Sequence, residues 1–303
     1  MSADQRNVEA REVVVLEASP RLATMYAGAL RQRRPASSDL PEVAYELPDV
    51  EVDREHLAAY DRVCGFTLGD RLPPTYPHVL AFPLQVRLMT APTFPFRLAG
   101  LVHVRNEIVL RRPLDAAVRM RVRVWAERLA AHPRGATVDL VTEVHAGDDV
   151  EQPAWSSVST YLARGAAAPG PAAPAGRSDG DRAGAETSGL PGRAVATLQV
   201  ARDTGRRYAR VSGDVNPIHL HPLGARLLGF RGMIAHGMWT KARALAGLEP
   251  RLPDALRVEV TFQRPLPLPS RPSLHVEAAD GGWDLALVAP DGRAHLTGVV
   301  RQA

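Results

Sequence analysis

Cysteine and lysine are almost missing from this chain. Cys64 is the single cysteine, which excludes an intrachain disulfide and a thiolate-based zinc site. Lys241 is the single lysine, so the net charge of +4 and pI near 9.6 rest on arginine. The arginines are scattered along the sequence, without the dense basic tail of a nucleic-acid binder. No apolar run is long enough to span a bilayer. The polar N-terminus, MSADQRNVEAREVVV, lacks the apolar stretch of a secretory signal. These absences lead us to expect a cytoplasmic protein that binds neither nucleic acid nor membrane.

Apolar residues make up 45 % of 303 residues, enough to build the core of two modest domains or one fused double domain. Residues 165–192 differ from the rest: Ala, Gly, Pro and Ser fill them, with no large apolar residue before Leu190. Such a stretch cannot bury a core and reads as a flexible linker. It divides the chain into an N-terminal part, 1–164, and a C-terminal part, 193–303.

The N-terminal part begins with a short apolar stretch at 12–18, then Ser19-Pro20 opening a helix over 20–33. Asp53 caps a second helix that runs to Gly65. Residues 69–78 read as a proline-broken loop. Residues 79–90 are apolar enough to be buried and fit either a helix or an extended segment, with Pro83 arguing against an uninterrupted helix; the proline-rich stretch 76–98 is also expected to form an apolar loop that opens a channel for a long chain. Alternation then marks strands at Leu101–Leu110, Val118–Arg128, Thr137–His145 and Trp155–Ala163. After the linker come a strand at Val195–Val200, a helix capped by Asp203, a helix from His236 to Leu248, and four strands between Leu256 and Arg301.

The two parts repeat each other. Tyr60-x-Arg62-Val63-Cys64-Gly65 matches Tyr208-x-Arg210-Val211-Ser212-Gly213, and Arg112-Pro113-Leu114 matches Arg264-Pro265-Leu266, each triplet following a strand. A helix followed by long antiparallel strands implies an α+β unit, a sheet wrapped around one helix. Two such units can pair edges into one sheet and so hide an edge strand of each.

The parts are chemically unequal. Asp214-x-Asn216-Pro217-x-His219 places a carboxylate and an imidazole on a proline-stiffened turn; its first-half counterparts are Phe66, Leu68 and Arg71. Alone, Asp-x-Asn-Pro is ordinary turn chemistry. The downstream Ile234-Ala235-His236-Gly237-Met238 changes the weighting. A glycine opening a helix leaves its N–H bare for a developing oxyanion. His236 reads as a supporting residue and His221 as a turn residue. His78, His103, His145, His275 and His295 read as structural.

The two clusters, in this order, together with Gly229-Phe230-x-Gly232, resemble the (R)-specific enoyl-CoA hydratase signature of the MaoC-like dehydratases. The likeness is strong over 193–303 and weaker over 45–164. It implies a double hot-dog fold with a degenerate first half that holds substrate. It also implies reversible syn addition of water to a trans-2-enoyl thioester, giving the (3R)-3-hydroxyacyl product. Asp214 would act as the main base on a water, His219 would share the proton and deliver it to the α-carbon, and the Gly237 N–H would hold the thioester oxygen. Asn216 and Pro217 would fix the turn. Lys241 and Arg231 would meet the phosphates of the coenzyme arm. No metal or redox cofactor is required, the acyl group being carried on coenzyme A or an acyl-carrier protein, and a homodimer of double hot dogs is compatible with this. A hot-dog thioesterase and a non-catalytic acyl-binding or partner module are the competing expectations.

Overall fold

The computed structural model describes residues 11–29, 39–147, 151–167 and 189–303. The expected linker and the end of the expected 20–33 helix fall mostly outside these residues. In chain order the elements are β1 (Glu12–Val15), α1 (Leu22–Ala29), β2 (Val43–Val50), α2 (Arg54–Cys64), α3 (Tyr76–Met89), β3 (Leu101–Leu110), β4 (Met120–His132), β5 (Gly135–Ala146) and β6 (Trp155–Arg164). The second half adds β7 (Arg193–Thr197), α4 (Thr204–Ser212), α5 (Pro217–Leu220), α6 (Pro222–Leu227), α7 (Gly237–Ala246), β8 (Leu256–Phe262), β9 (Ser273–Ala279), β10 (Gly282–Val288) and β11 (Ala294–Gln302).

The eleven strands among the described residues form one sheet, in the order β1-β2-β4-β5-β6-β3-β8-β11-β10-β9-β7. Read outward from the β3–β8 junction, the halves are the same: β3, β6, β5, β4, β2 on one side and β8, β11, β10, β9, β7 on the other. This is the double hot dog, with α3 and α7 as the two central helices. The equivalence extends to backbone detail. Both α2 and α4 end on a left-handed glycine, Gly65 at φ 82° and Gly213 at φ 73°, a conformation that glycine adopts without penalty. The carbonyls of Leu114 and Leu266, from the repeated Arg-Pro-Leu triplets, accept the N–H groups of Leu72 and Ala235 at 2.9 and 2.8 Å. The Tyr60 and Tyr208 rings meet in the core, 6.2 Å apart.

Four elements depart from expectation. β1 pairs with β2 in parallel, so the sheet is not wholly antiparallel. β2 itself, VAYELPDV, went unread. Its Pro48 falls at a register shift between Leu47 and Val50, where no ladder bond is required of it. Residues 76–89 are a helix, not a channel-opening loop. Pro83 sits inside α3, but eleven of the fourteen residues are buried, and packing on every side offsets the lost backbone bond. Asp203 occupies the cap position of α4 without a side-chain capping bond, whereas Asp53 accepts from the N–H groups of Glu55 and His56.

The seam between the halves is held by side chains as well as by the β3–β8 ladder. Glu107 and Glu259 stand directly opposite each other. Arg105 pairs with both, and Arg257 pairs with Glu107 at 3.0 Å. On the helix side, Lys241 of α7 donates to Oδ1 of Asn106 at 2.5 Å and to the carbonyls of Asn106 and Val258 at 3.3 and 3.2 Å.

Candidate active site

α5 and α6 have no counterpart among the described residues of the first half, and α5 carries His219. Gly213 ends α4 and turns the chain toward the cavity. The Asp214 Oδ1 atom accepts from the Asn216 N–H at 3.2 Å. The Asn216 side chain in turn caps α5, accepting from the Ile218 N–H at 3.4 Å, and Pro217 takes the first helical position, where its missing N–H costs nothing. This one turn lifts His219 into the interior, 7 % exposed.

The two sequence clusters are tied together by backbone acceptors. Nδ1 of His219 donates to the Ile234 carbonyl at 2.8 Å, and Nε2 of His236 donates to the Asp214 carbonyl at 2.9 Å. A carbonyl can only accept, so these contacts fix both tautomers. His219 keeps a free Nε2 lone pair. The His219 and His236 rings stack with centroids 3.6 Å apart, and Tyr208 packs on His236 at 4.9 Å. Burial lowers the basicity of His219; the nearby Asp214 and the Ile234 carbonyl oppose that shift without cancelling it. His236 is pushed further down, by burial and then by the neighbouring His219. Both rings are therefore neutral at pH 7.

Asp214, His219 and Gly237 line one cavity of about 460 Å³. Gly237 is the first residue of α7, so its N–H has no acceptor within the helix. A Cβ there would come within 3.1 Å of the Phe262 ring, another wall of the cavity. Asp214 is the one carboxylate among the described lining residues. The ligand atoms of Asp214, His219 and His236 lie within 4.8 Å of one another, close enough for a small cation. The stacking disfavours one: an ion lying in the plane of either ring falls well out of the plane of the other, away from its lone pair. The same space suits a water held by Asp214 and the His219 Nε2.

The expectation for Lys241 is corrected. It is fully buried and spends its amine on Asn106 and Val258, and burial drives its basicity far down. It cannot reach a phosphate. Arg231 is exposed but outside the cavity lining, where Arg97, Arg134, Arg164 and Arg264 stand instead. Sequence reasoning also missed Tyr26. This residue of α1 lines the cavity and is hydrogen-bonded to the Val215 backbone. Its neighbour Leu22 fills the space beside Gly213, where a Cβ would meet Leu22 at 2.2 Å. Nothing in the local sequence of α1 signals a contact so far along the chain.

The geometry agrees with comparisons to known proteins. Residues 185–281 match the model of the MaoC like domain. The chain is 41 % identical over 270 residues to 3-hydroxyacyl-thioester dehydratase X of Mycobacterium tuberculosis, covering 88 % of this chain and 92 % of that protein. The crystal structure of HtdX from the same organism superposes with a TM-score of 0.73 at 39 % identity, covering 86 % of this chain and all of that one. A MaoC-like dehydratase from Phytophthora capsici shares the fold at 18 % identity, with a TM-score of 0.65 over 86 % of this chain and 94 % of that one. With the signature turn, the bare helix glycine and the duplicated sheet all present, the chain belongs to the MaoC-like dehydratase family.

Proposed function

We propose that this chain is a 3-hydroxyacyl-thioester dehydratase and (R)-specific 2-enoyl-thioester hydratase. The observation that carries the reading is the juxtaposition of Asp214, the free Nε2 of His219 and the bare N–H of Gly237 on one cavity. The name of the M. tuberculosis relative supports the substrate class. A water between Asp214 and His219 attacks C3 of the enoyl group. The thioester oxygen gains charge as this happens, and the Gly237 N–H, reinforced by the dipole of α7, stabilises it. The proton released by the water is taken up by the Asp214–His219 pair and returned to C2 on the same face. His219 is suited to that return because burial makes its protonated form a stronger acid. Asn216 and Pro217 set the turn, and His236 holds the Asp214 backbone.

The reaction needs no redox cofactor, since water addition changes no net oxidation level, and the thioester acidifies C2 without calling on a metal. The first half supplies the other wall of the acyl cavity through α3 and β3. The four arginines of the lining stand ready for the phosphates of a coenzyme A or carrier-protein arm. No helix among the described residues is long and apolar enough to cross a membrane, and we place the protein in the cytoplasm.

The test is hydration of crotonyl-CoA and longer enoyl-CoA thioesters, followed by loss of enoyl absorbance. Asp214→Asn and His219→Gln should each slow turnover by about 10²–10⁴-fold with little change in melting temperature. Wild-type rates in both variants would refute the assignment, and release of free thiol from the acyl-CoA would point to hydrolysis.

A further inference from the structure

α6 turns an apolar face to solvent. Leu223 is 60 % and Leu227 87 % exposed, and Leu228 follows at the end of the helix, also exposed. Leu223, Arg226 and Leu227 are spaced i, i+3 and i+4, so one side of the helix presents all three. A lone leucine on a surface calls for no account; neighbouring ones at the rim of a cavity do. Leu227, Leu228 and Phe230 line the cavity that holds Asp214, whereas Leu223 and Arg226 stand outside it.

The rim beside this face is positively charged. Arg97, Arg134, Arg164 and Arg264 line the cavity, and strand register gathers them at one end of the sheet. Arg134 precedes Gly135, which pairs with Arg164 across β5–β6, and Leu101, shortly after Arg97, pairs with Ala163. β8 runs antiparallel to β3, so Arg264, just beyond its last residue, reaches the same end. The Arg164 guanidinium stands 5.7 Å above the Phe230 ring, which joins this end of the sheet to α6. Arg226 and Arg231 are exposed there as well. None of these six arginines forms an ion pair among the described residues. Residues 71–106 and 215–248, which supply most of the lining, contain neither Asp nor Glu. The positive field at the opening is therefore answered by nothing nearby.

An acyl thioester reaches such an opening on one of two carriers. Coenzyme A brings phosphates to the lining arginines and ends there, leaving Leu223 and Arg226 in water. A carrier protein brings a phosphate on its pantetheine arm and also a surface of its own. Apolar side chains ringed by arginine suit a protein interface, and six unpaired arginines require the facing surface to be acidic.

We infer that the exposed face of α6, with the arginines beside it, is a docking surface for an acidic acyl-carrier protein, whose phosphopantetheine arm passes Leu227 and Leu228 toward Asp214. This rests on the acyl-thioester reading of the cavity, and a binding measurement separates the two. The probe is the acyl-carrier protein of a bacterial type II fatty-acid synthase in its holo form, without an acyl group, titrated by calorimetry into the full chain. It should bind at low salt and weaken as salt is raised. Leu223→Ser/Arg226→Glu, two exposed changes outside the cavity, should weaken that binding about tenfold or more. The same variant should raise the KM for crotonyl-carrier protein by about the same factor and leave kcat/KM for crotonyl-CoA within about twofold of wild type. The inference is overturned if the carrier protein does not bind, if the variant binds it as tightly as wild type, or if both thioesters suffer alike. It is equally overturned if anionic phosphatidylglycerol vesicles bind in place of the carrier protein, or if light scattering shows the face occupied by a second copy of the chain. Crotonyl-CoA hydration by the same wild-type preparation reports separately on the reaction itself.

Discussion

Gly237→Ala separates two consequences of a single methyl group. The first is steric. The new Cβ would lie 3.1 Å from the Phe262 Cε1 and Cζ atoms, so the ring or the start of α7 must yield by a few tenths of an ångström. Overpacking of this kind costs about 1–3 kcal/mol, partly offset by the better helix propensity of alanine. The second is chemical. The methyl crowds the approach of a thioester oxygen to the residue 237 N–H, and losing an oxyanion donor costs about 3–4 kcal/mol of barrier, or about 10²–10³ in kcat. The variant should therefore fold, melt within a few degrees of wild type and hydrate crotonyl-CoA at a hundredth of the rate or less. Phe262→Leu in the same chain removes the ring that the methyl strikes but leaves the crowded N–H. If Gly237→Ala/Phe262→Leu regained more than a tenth of the wild-type kcat, the loss would belong to packing and the oxyanion role would be wrong.

Three further outcomes follow from buried polar groups. Lys241→Met keeps the stem but leaves the Asn106 Oδ1 without its 2.5 Å donor; urea unfolding should show a loss of about 1–3 kcal/mol, and an unchanged midpoint would contradict the stapling role. Acid should also destabilise the protein through its neutral histidines. His78 falls from its usual 6.5 to about 4 on burial, so the unfolded chain binds the proton more readily; the stability is fully present above pH 6.5 and lost as pH falls toward 4. His78 alone accounts for about 3 kcal/mol over that window, and a melting temperature flat from pH 7 to 4.5 would refute it. The same direction at His219 places its contribution to the acid limb of kcat/KM below pH 6.5, where a titration of activity would find it.

Local pattern carried much of the architecture into the sequence. Strict alternation in VRMRVRV marks β4, because valine and methionine meet the core on one face while arginine stands on the other. The repeat was legible because its residues do repeated structural work: two glycine caps, two core tyrosines, two Arg-Pro-Leu carbonyls. What stayed hidden depends on partners far away in the chain. Lys241 reads as surface charge until Asn106, 135 residues earlier, closes on it across the seam. Pro83 reads as a helix breaker until α3 is seen packed all round. Tyr26 has no pattern of its own and gains meaning from Val215. At the site, the Asp-x-Asn-Pro-x-His turn and the His-Gly step were visible. The bond from His219 Nδ1 to the Ile234 carbonyl, which leaves the free lone pair on Nε2, was not.

The central claim is that one water, held by Asp214 and His219, adds to the same face of the acyl group that receives the proton. Hydration of crotonyl-CoA in deuterium oxide tests it in one product analysis. The account predicts a (3R)-3-hydroxybutyryl thioester carrying a single deuterium at C2, syn to the new hydroxyl. A (3S) product, or deuterium placed anti or on both faces, would contradict it.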